Sequence, residues 1–235
     1  MELARPMFDV GMLTNRGDAM LGFWCDEMGL ALERELEPVP GVTQYKLTLM
    51  GAVLKINAVA AALPDRATLP GLRMLLLADD SVDCPQHRRD PDGNLLCLVP
   101  PGFRGITTFG VHFAVSDERR FHAFFTDVLQ LDAIDERMYD LAGAALSFAW
   151  SPEVVAGATT GGAGFTYTTI QVMDAVAAHA ALCDSGAIED QPPSGAHFNS
   201  DSIVSFIRDP DGNRIEISQR PDLVAAKSGR RGVER

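Results

Sequence analysis

Apolar and polar positions alternate in the same order in two halves of the chain. The segments FDVGMLTNRGDAMLGFWCDEMGL (residues 8–30) and FGVHFAVSDERRFHAFFTDVLQL (residues 109–131) align without a gap. Each begins with a short apolar strand and passes through a polar turn. Each then places apolar residues three and four positions apart, which is the spacing of a helix that packs on a sheet. The pattern therefore predicts a strand followed by a helix in both halves.

Strand-like segments follow each of these helices. Alternating residues predict one hairpin in YKLTLMGAVLKINAV (45–59) and a second in YDLAGAALSFAW (139–150). Another strand is predicted in GLRMLLLADD (71–80), and its counterpart in the second half is GFTYTTIQVMD (164–174). The chain is therefore a repeat of a strand–helix–three-strand unit.

The two copies differ after their last matching strand. The second copy continues into DAVAAHAALCDSGA (174–187), an Ala-rich segment in which Asp174 is placed to cap a helix that ends at Gly186. The first copy has only SVDCPQHRR (81–89) at this place. We expect the first copy to have lost this helix and one strand.

Both copies end in the same turn, Asp-Pro-Asp-Gly-Asn, at residues 90–94 and 209–213. Proline presets φ at the second position, the Asp and Asn side chains bond nearby backbone N–H groups, and Gly and Asn tolerate positive φ. Alternating apolar residues follow, so each turn is predicted to lead into a final strand. That strand carries Glu216 in the second copy and Cys97 at the same place in the first.

Composition and charge narrow the class of protein. The 235 residues carry a net charge of -12, with a sequence pI of about 4.7, and 46% of them are hydrophobic. Such a surface repels phosphate backbones and anionic membranes, so nucleic acid and membrane are not expected as partners. No apolar run reaches the length of a membrane helix and no secretion signal is recognisable, which makes the cytoplasm the expected location. Four dispersed cysteines without a CxxC pair predict neither a disulfide framework nor a zinc site.

The repeat order, together with DAVAAHAALCDSGA and FIRDPDGNRIEISQ (206–219), resembles the vicinal oxygen chelate superfamily, which includes glyoxalases, bleomycin resistance proteins and extradiol dioxygenases. The resemblance implies an α+β fold in which tandem βαβββ units form two cup-shaped domains. The implied domains are a degenerate, shortened one at residues 1–101 and a complete one at residues 103–220, followed by a tail at residues 221–235.

The resemblance also implies a divalent metal inside each cup, held by His on the first strand, His on the fifth and Glu on the last. In the second copy these positions fall on Gly110, Tyr167 and Glu216. In the first copy they fall on Asp9, Met74 and Cys97, an incoherent ligand set for one ion. We therefore expect a degenerate metal site and no cofactor. The alternative is Fe, Mn or Zn held by shifted ligands, Glu216 and His112.

Because strand side chains alternate between faces, the second cup is predicted to hold a polar set. His112, Glu216 and Tyr167 are the predicted catalytic residues: imidazole and carboxylate for proton transfer, phenol for an oxyanion. The residues that share their faces or border the cup are predicted to bind substrate: Arg214, Thr169, Gln171 and His197. His179 lies in the polar helix of the second copy and is expected to be exposed.

Three functions remain open from the sequence. The first is a metal-independent acid–base enzyme, an isomerase, lyase or ring-opening enzyme, that acts on a small oxygenated metabolite. The second is a metal-dependent enzyme similar to extradiol dioxygenases, with His197 or water completing the ligand set. The third is a non-catalytic protein that sequesters a small molecule. A homodimer is compatible with each of them.

Overall fold

The computed structural model of the 235-residue chain describes residues 1–64, 71–141, 144–156, 162–196 and 199–233. The first half begins with one strand, continues into a helix and ends with six further strands. Its helix α1 (Gly17–Leu21) continues as a π-helical turn (Gly22–Glu27). The strands of this half are β1 (Asp9–Thr14), β2 (Leu32–Val39), β3 (Val42–Leu49), β4 (Ala52–Val59), β5 (Leu72–Ala78), β6 (Gln86–Arg89) and β7 (Leu95–Val99). Residues 79–94, which are all described, contain no helix, as the shortened first copy predicted.

The second half repeats this order and adds the expected helix. Its helices are α2 (Glu118–Ala123), which continues as a π-helical turn (Phe124–Val128), α3 (Ala175–Asp184) and α4 (Pro221–Val233). Its strands are β8 (Phe109–Val115), β9 (Ala133–Asp135), β10 (Met138–Leu141), β11 (Ala144–Trp150), β12 (Gly164–Gln171), β13 (Ile188–Ala196), β14 (Asn199–Arg208) and β15 (Arg214–Gln219). None of the helices described here has the length and apolar character that spanning a bilayer requires.

Local side-chain hydrogen bonds set the ends of these elements. The Asp174 carboxylate accepts from the Ala177 N–H at 2.9 Å and so caps α3. In the repeated turn, Asp209 accepts from the backbone N–H groups of Asp211 and Asn213, each at 2.9 Å. Asp90 does the same in the first copy, which explains why one turn sequence occurs twice.

The strands form a mixed α+β arrangement of two sheets. The eight-stranded sheet has the order β13-β14-β15-β12-β1-β4-β3-β2, and the seven-stranded sheet has the order β6-β7-β5-β8-β11-β10-β9. In the larger sheet β1 runs antiparallel to β12, and each pairs in parallel with its other neighbour, β4 or β15. The larger sheet therefore joins the first four strands of the chain to the last four.

This pairing differs from the expectation that each sequence copy closes a cup of its own. Each sheet takes the first part of one copy and the last part of the other. Alternation within a strand specifies which face is apolar, but it does not specify the strand that lies alongside. A continuous apolar core packs the helices against both sheets, and the fully buried Trp24, Phe121 and Phe165 belong to it.

Candidate functional site

The eight-stranded sheet curls around a cavity of about 380 Å³. This volume is within the range of small-molecule sites. Apolar residues form part of its lining, and polar side chains from β3, β4, β12 and β15 form a continuous polar part that we call the floor. The floor residues are Gln44, Lys46, Lys55, Asn57, Tyr167, Arg214, Glu216 and Ser218.

A buried ion pair lies at the centre of the floor. Lys55 Nζ donates to both carboxylate oxygens of Glu216 at 3.1 Å and to Thr169 Oγ1 at 2.8 Å. Thr169 Oγ1 in turn donates to Glu216 Oε2 at 3.3 Å. The two charged side chains are 5% and 10% exposed, so the pair is largely removed from water. Each charge needs the other in order to remain buried.

A second lysine lies beside this pair. Lys46 on β3 is directly opposite Lys55 on β4, and both are 4% exposed. Burial lowers the pKa of Lys46 to about 8, and the neighbouring Lys55 and Arg220 add to the shift. A lysine with such a pKa is partly a neutral amine near neutral pH, which is the form that accepts a proton.

Tyr167 covers the floor next to these lysines. Its ring lies over Gly11 on the neighbouring strand, where a Cβ would come within 2.2 Å of the ring. Asn57 Nδ2 donates to the Tyr167 hydroxyl at 3.2 Å, and Gln44 Nε2 donates to Asn57 Oδ1 at 2.7 Å. Burial raises the pKa of Tyr167 above its ordinary range, and the Glu216 carboxylate raises it further. Tyr167 is therefore a neutral phenol that can donate a hydrogen bond.

Arg214 forms one side of the cavity. Its guanidinium lies 4.0 Å from the centre of the Phe206 ring, and its Nε donates to Asp190 at 2.7 Å. Both contacts hold the guanidinium in a fixed position at the wall.

Asp9 and Gln171 lie in the same sheet but outside the lining of the cavity. Gln171 Nε2 donates to Asp9 Oδ2 at 2.8 Å, and the Val53 N–H donates to Asp9 Oδ1 at 2.9 Å. Arg5 also pairs with this carboxylate. Gln171 therefore supports Asp9 in the structure and is not among the residues that line the cavity.

The structure separates His112 from the other predicted catalytic residues, which corrects the expectation of a shared cup. His112 lies on β8 in the seven-stranded sheet, whereas Tyr167 and Glu216 lie in the eight-stranded sheet. Its Nδ1 lies 3.0 Å from Ser147 Oγ, and burial followed by the charge of Arg104 lowers its pKa. The two residues of the alternative metal pair, Glu216 and His112, therefore lie in different sheets, because the first and last strands of one copy do not enter the same sheet.

Of the other sequence-predicted residues, Arg214 lines the cavity and Thr169 contacts the central ion pair. His197 lies outside the described residues.

The described residues of the larger sheet do not fit a divalent metal. Strand pairing brings Asp9, Tyr167 and Glu216 into one sheet, which gives two carboxylates at positions where the family resemblance implies metal ligands. Each carboxylate already pairs with a cationic side chain, Glu216 with Lys55 and Asp9 with Arg5. The positive charges of Lys55, Arg5 and Lys46 would repel a divalent cation. The ammonium of Lys55 holds the carboxylate that a metal would need.

The equivalent positions in the seven-stranded sheet are apolar in character. Cys97 is 3% exposed and packs with Leu76, Ile106 and Met138, and burial raises the pKa of its thiol. A Cβ at Gly110 would lie 3.0 Å from the Ile106 side chain. An apolar cluster thus occupies these positions in the seven-stranded sheet, where the larger sheet has its polar floor, and a separate cavity lined by Arg104, His112 and Ser147 lies beside it.

Sequence reasoning did not identify the lysines and amides of the first half. Lys46, Lys55 and Asn57 alternate with Leu47, Leu54 and Ile56, a pattern that is typical of a strand with one solvated face. In a curled sheet the polar face is also enclosed, and these side chains are buried. Two lysines within an apolar hairpin are a sequence signal for a buried site. This signal can be interpreted only when Glu216 is known to lie close to Lys55.

One cavity thus combines the Lys46 amine, whose pKa is lowered, the neutral Tyr167 phenol and the Lys55 ammonium, which is held in a fixed position. Such groups can remove a proton from carbon and stabilise the negative charge that develops on a neighbouring oxygen. The basic side chains also favour an anionic ligand, although the protein as a whole is acidic.

Comparison with known proteins places this geometry among related folds. Residues 108–217 match the family model of the Glyoxalase/Bleomycin resistance protein/Dioxygenase superfamily. No curated protein matches the chain at a significant level.

Among the solved structures that resemble the chain, two illustrate a match over most of its length. Glyoxalase I from Zea mays has a TM-score of 0.72 and 14% identity, and the match covers 96% of this chain and 94% of that chain. A Bacillus subtilis protein assigned provisionally as a dioxygenase has a TM-score of 0.67 and 11% identity, with 94% and 86% of the two chains covered. At these identities the likeness establishes the fold.

Proposed function

We propose that the chain, whose residues 108–217 match the family model of the Glyoxalase/Bleomycin resistance protein/Dioxygenase superfamily, is a metal-independent acid–base enzyme. Its substrate is a small oxygenated metabolite that carries a carboxylate and a carbonyl group. The reaction begins with removal of a proton from the carbon next to the carbonyl, as in isomerases and lyases. The observation that carries the proposal is the buried Lys46, with a pKa of about 8, beside the Lys55–Glu216 pair.

Lys46 acts as the base in this proposal. The neutral amine takes the proton from carbon, and the electrons of the broken C–H bond move onto the carbonyl oxygen. The Lys46 ammonium then returns the proton to another carbon in an isomerisation, or to a leaving group in an elimination. A pKa near the working pH suits both directions of this transfer.

Tyr167 and Lys55 stabilise the enolate oxygen. The phenol accepts from Asn57, so its own proton is available for the substrate. The Lys55 ammonium is held in place by Thr169 and Glu216 before substrate arrives, so little reorganisation is needed. Glu216 is therefore a positioning residue that keeps Lys55 charged and oriented.

Proton exchange with solvent tests the proposal without knowledge of the product. Small 2-oxo and 3-oxo carboxylates are incubated with the protein in D₂O, and loss of the α-proton signal is followed by ¹H NMR. At least one compound is expected to exchange faster with protein, and Lys46→Met is expected to lower this rate by about 100-fold or more. Glu216→Gln is expected to lower it as well. Lys227→Met, in helix α4, is the matched lysine control and should exchange at the wild-type rate.

Exchange that persists in Lys46→Met would overturn the proposal. Exchange that depends on His112 instead would move the chemistry to the seven-stranded sheet.

The homodimer that the sequence allows is a separate prediction, for which light scattering after size-exclusion chromatography is the measurement.

A non-catalytic binding protein is the second candidate function. The stack of Arg214 on Phe206, next to the edge-on Tyr167 ring, is an arrangement that can hold a flat anion without reacting with it. Compounds that raise the melting temperature but never exchange or turn over would favour this function.

A further inference from the structure

A cluster of metal-ligating side chains lies outside the cavity, between helix α3 and strand β13. His179 on α3 was expected to be exposed, but it is 4% exposed. Its Nδ1 lies 3.0 Å from Ser205 Oγ on β14, and its Nε2 lies 2.9 Å from Glu189 Oε2 on β13. The imidazole is therefore buried and held at both nitrogens.

Cys183 completes the cluster from one helical turn further along α3. Residues four apart share a helix face, and Cys183 Sγ lies 3.6 Å from His179 Nε2. The ligand atoms of His179, Cys183 and Glu189 all lie within 4.8 Å of one another. Cys183 and Glu189 thus both approach Nε2 of His179, the ring nitrogen that does not contact Ser205.

These separations are close to those of a tetrahedral zinc centre. Zinc–sulfur and zinc–nitrogen bonds of about 2.3 and 2.05 Å at a tetrahedral angle place the two ligand atoms about 3.6 Å apart. The nitrogen and a carboxylate oxygen would be about 3.4 Å apart, so the Glu189 carboxylate, now 2.9 Å from Nε2, has to move away from that nitrogen by about half an ångström. Its side chain is 56% exposed and is free to do so.

We propose that His179, Cys183 and Glu189 bind a zinc ion, with water as the fourth ligand. A mixed imidazole, thiolate and carboxylate set suits zinc and not the hard ions Mg²⁺ and Ca²⁺, which prefer oxygen alone. The half-exposed Glu189 gives the ion and its water a route in from solvent.

The proton balance of binding follows from the same contacts. The Cys183 thiol loses its proton to solvent when sulfur binds the ion, and the thiolate and carboxylate together neutralise its two charges. The Nε2 atom must be unprotonated, so the neutral imidazole carries its proton on Nδ1 and donates it to Ser205 Oγ. Ser205 is fully buried and thereby fixes the ring orientation, as partners of ligating histidines commonly do.

The zinc site lies on the opposite face of the sheet from the cavity. Val204 and Phe206 line the cavity, and Ser205 between them points to the helix side. Zinc would therefore clamp α3 onto β13 and stabilise the fold, without taking part in the chemistry of the cavity.

Metal binding by the full-length protein tests this inference. Chelator-treated wild type and variants are loaded with one equivalent of Zn²⁺ and passed over a desalting column, and bound zinc is measured by mass spectrometry. Wild type and Cys84→Ser, which changes an exposed cysteine elsewhere, should each retain close to one zinc. Cys183→Ser and His179→Gln should retain less than a tenth of that amount.

Cobalt(II) provides a second measurement that does not depend on a variant folding. Wild type loaded with Co²⁺ should show a thiolate-to-cobalt absorption band in the near ultraviolet and the visible bands of tetrahedral cobalt. Zinc added afterwards should remove both. Wild type that retains no zinc, or cobalt spectra without a thiolate band, would overturn the proposal, as would equal zinc retention in Cys183→Ser.

Discussion

Lys55 Nζ lies 3.1 Å from both carboxylate oxygens of Glu216, although the two residues are separated by most of the chain. Lys55 comes from the fourth strand and Glu216 from the last one, and the curled sheet brings them together on its inner face. The carboxylate that the family resemblance assigns to a metal is therefore bound by an internal cation. The following predictions depend on this pair and on its neighbours Lys46 and Gly11.

Removal of the Lys55 charge should destabilise the protein strongly. In Lys55→Met the Glu216 carboxylate stays buried without its cation, which typically costs about 3–5 kcal/mol. The measurement is the free energy of unfolding in urea at pH 7. The double variant Lys55→Met/Glu216→Leu should recover most of the loss, because it removes both charges. A loss below about 1 kcal/mol in the single variant would mean that the pair is solvated or not formed.

Replacement of Lys55 by glutamate should create a site at which Mg²⁺ stabilises the protein. Lys55→Glu places a second carboxylate beside Glu216, and two carboxylates with the Thr169 hydroxyl are oxygen ligands that suit Mg²⁺. We expect millimolar Mg²⁺ to raise the melting temperature of this variant by several degrees and to leave that of the wild type nearly unchanged. Equal shifts in both proteins would contradict the view that the ammonium takes the place of a metal.

The rate of α-proton exchange should follow the ionisation of Lys46. Burial lowers the pKa of this lysine to about 8, and the base must be neutral to accept a proton. The exchange rate at low substrate concentration should therefore rise about tenfold per pH unit below pH 8 and level off above it. Flat profiles between pH 6 and 9 would exclude Lys46 as the base.

Lys46 should also lower the stability of the folded protein near neutral pH. Its pKa is about 8 when folded and 10.5 in the unfolded reference, so the unfolded chain holds more protons between these values. The free energy of unfolding therefore rises with pH between 8 and 10.5. Below pH 8 the buried charge of Lys46 lowers this free energy by up to about 3 kcal/mol. Lys46→Met should be more stable than wild type at pH 7, and the difference should shrink as the pH approaches 10.5. Urea unfolding at pH 7 and 10 provides the comparison.

Gly11 should be necessary for the position of Tyr167. A Cβ at Gly11 would lie within 2.2–2.5 Å of three atoms of the Tyr167 ring, so Gly11→Ala has to displace the ring or the strand. We expect a loss of about 1–3 kcal/mol in stability, together with loss of proton exchange. Gly229→Ala in helix α4, where an added Cβ meets nothing within 4 Å, is the matched control and should be neutral or slightly stabilising. Wild-type exchange by Gly11→Ala would remove Tyr167 from the mechanism.

The repeating unit and much of its local structure can be predicted from the order of residues alone. Alternation and helical spacing identified the strands and helices, Asp174 identified the start of α3, and the two Asp-Pro-Asp-Gly-Asn turns identified the last strand of each copy. Face parity correctly grouped Tyr167 with Arg214 and Glu216, because alternation along a strand is a local property of the backbone.

Long-range packing sets which strands lie side by side, and therefore which residues form the site. Pairing of β1 with β12 joins distant parts of the chain, so Lys46 and Lys55 meet Glu216 while His112 goes to the other sheet. The same is true of His179, which a polar helix predicts to be exposed but which Ser205 and Glu189 hold in the interior. Contacts between different strands and helices depend on the fit of whole sheets and helices, and no local pattern of apolar and polar residues carries that information.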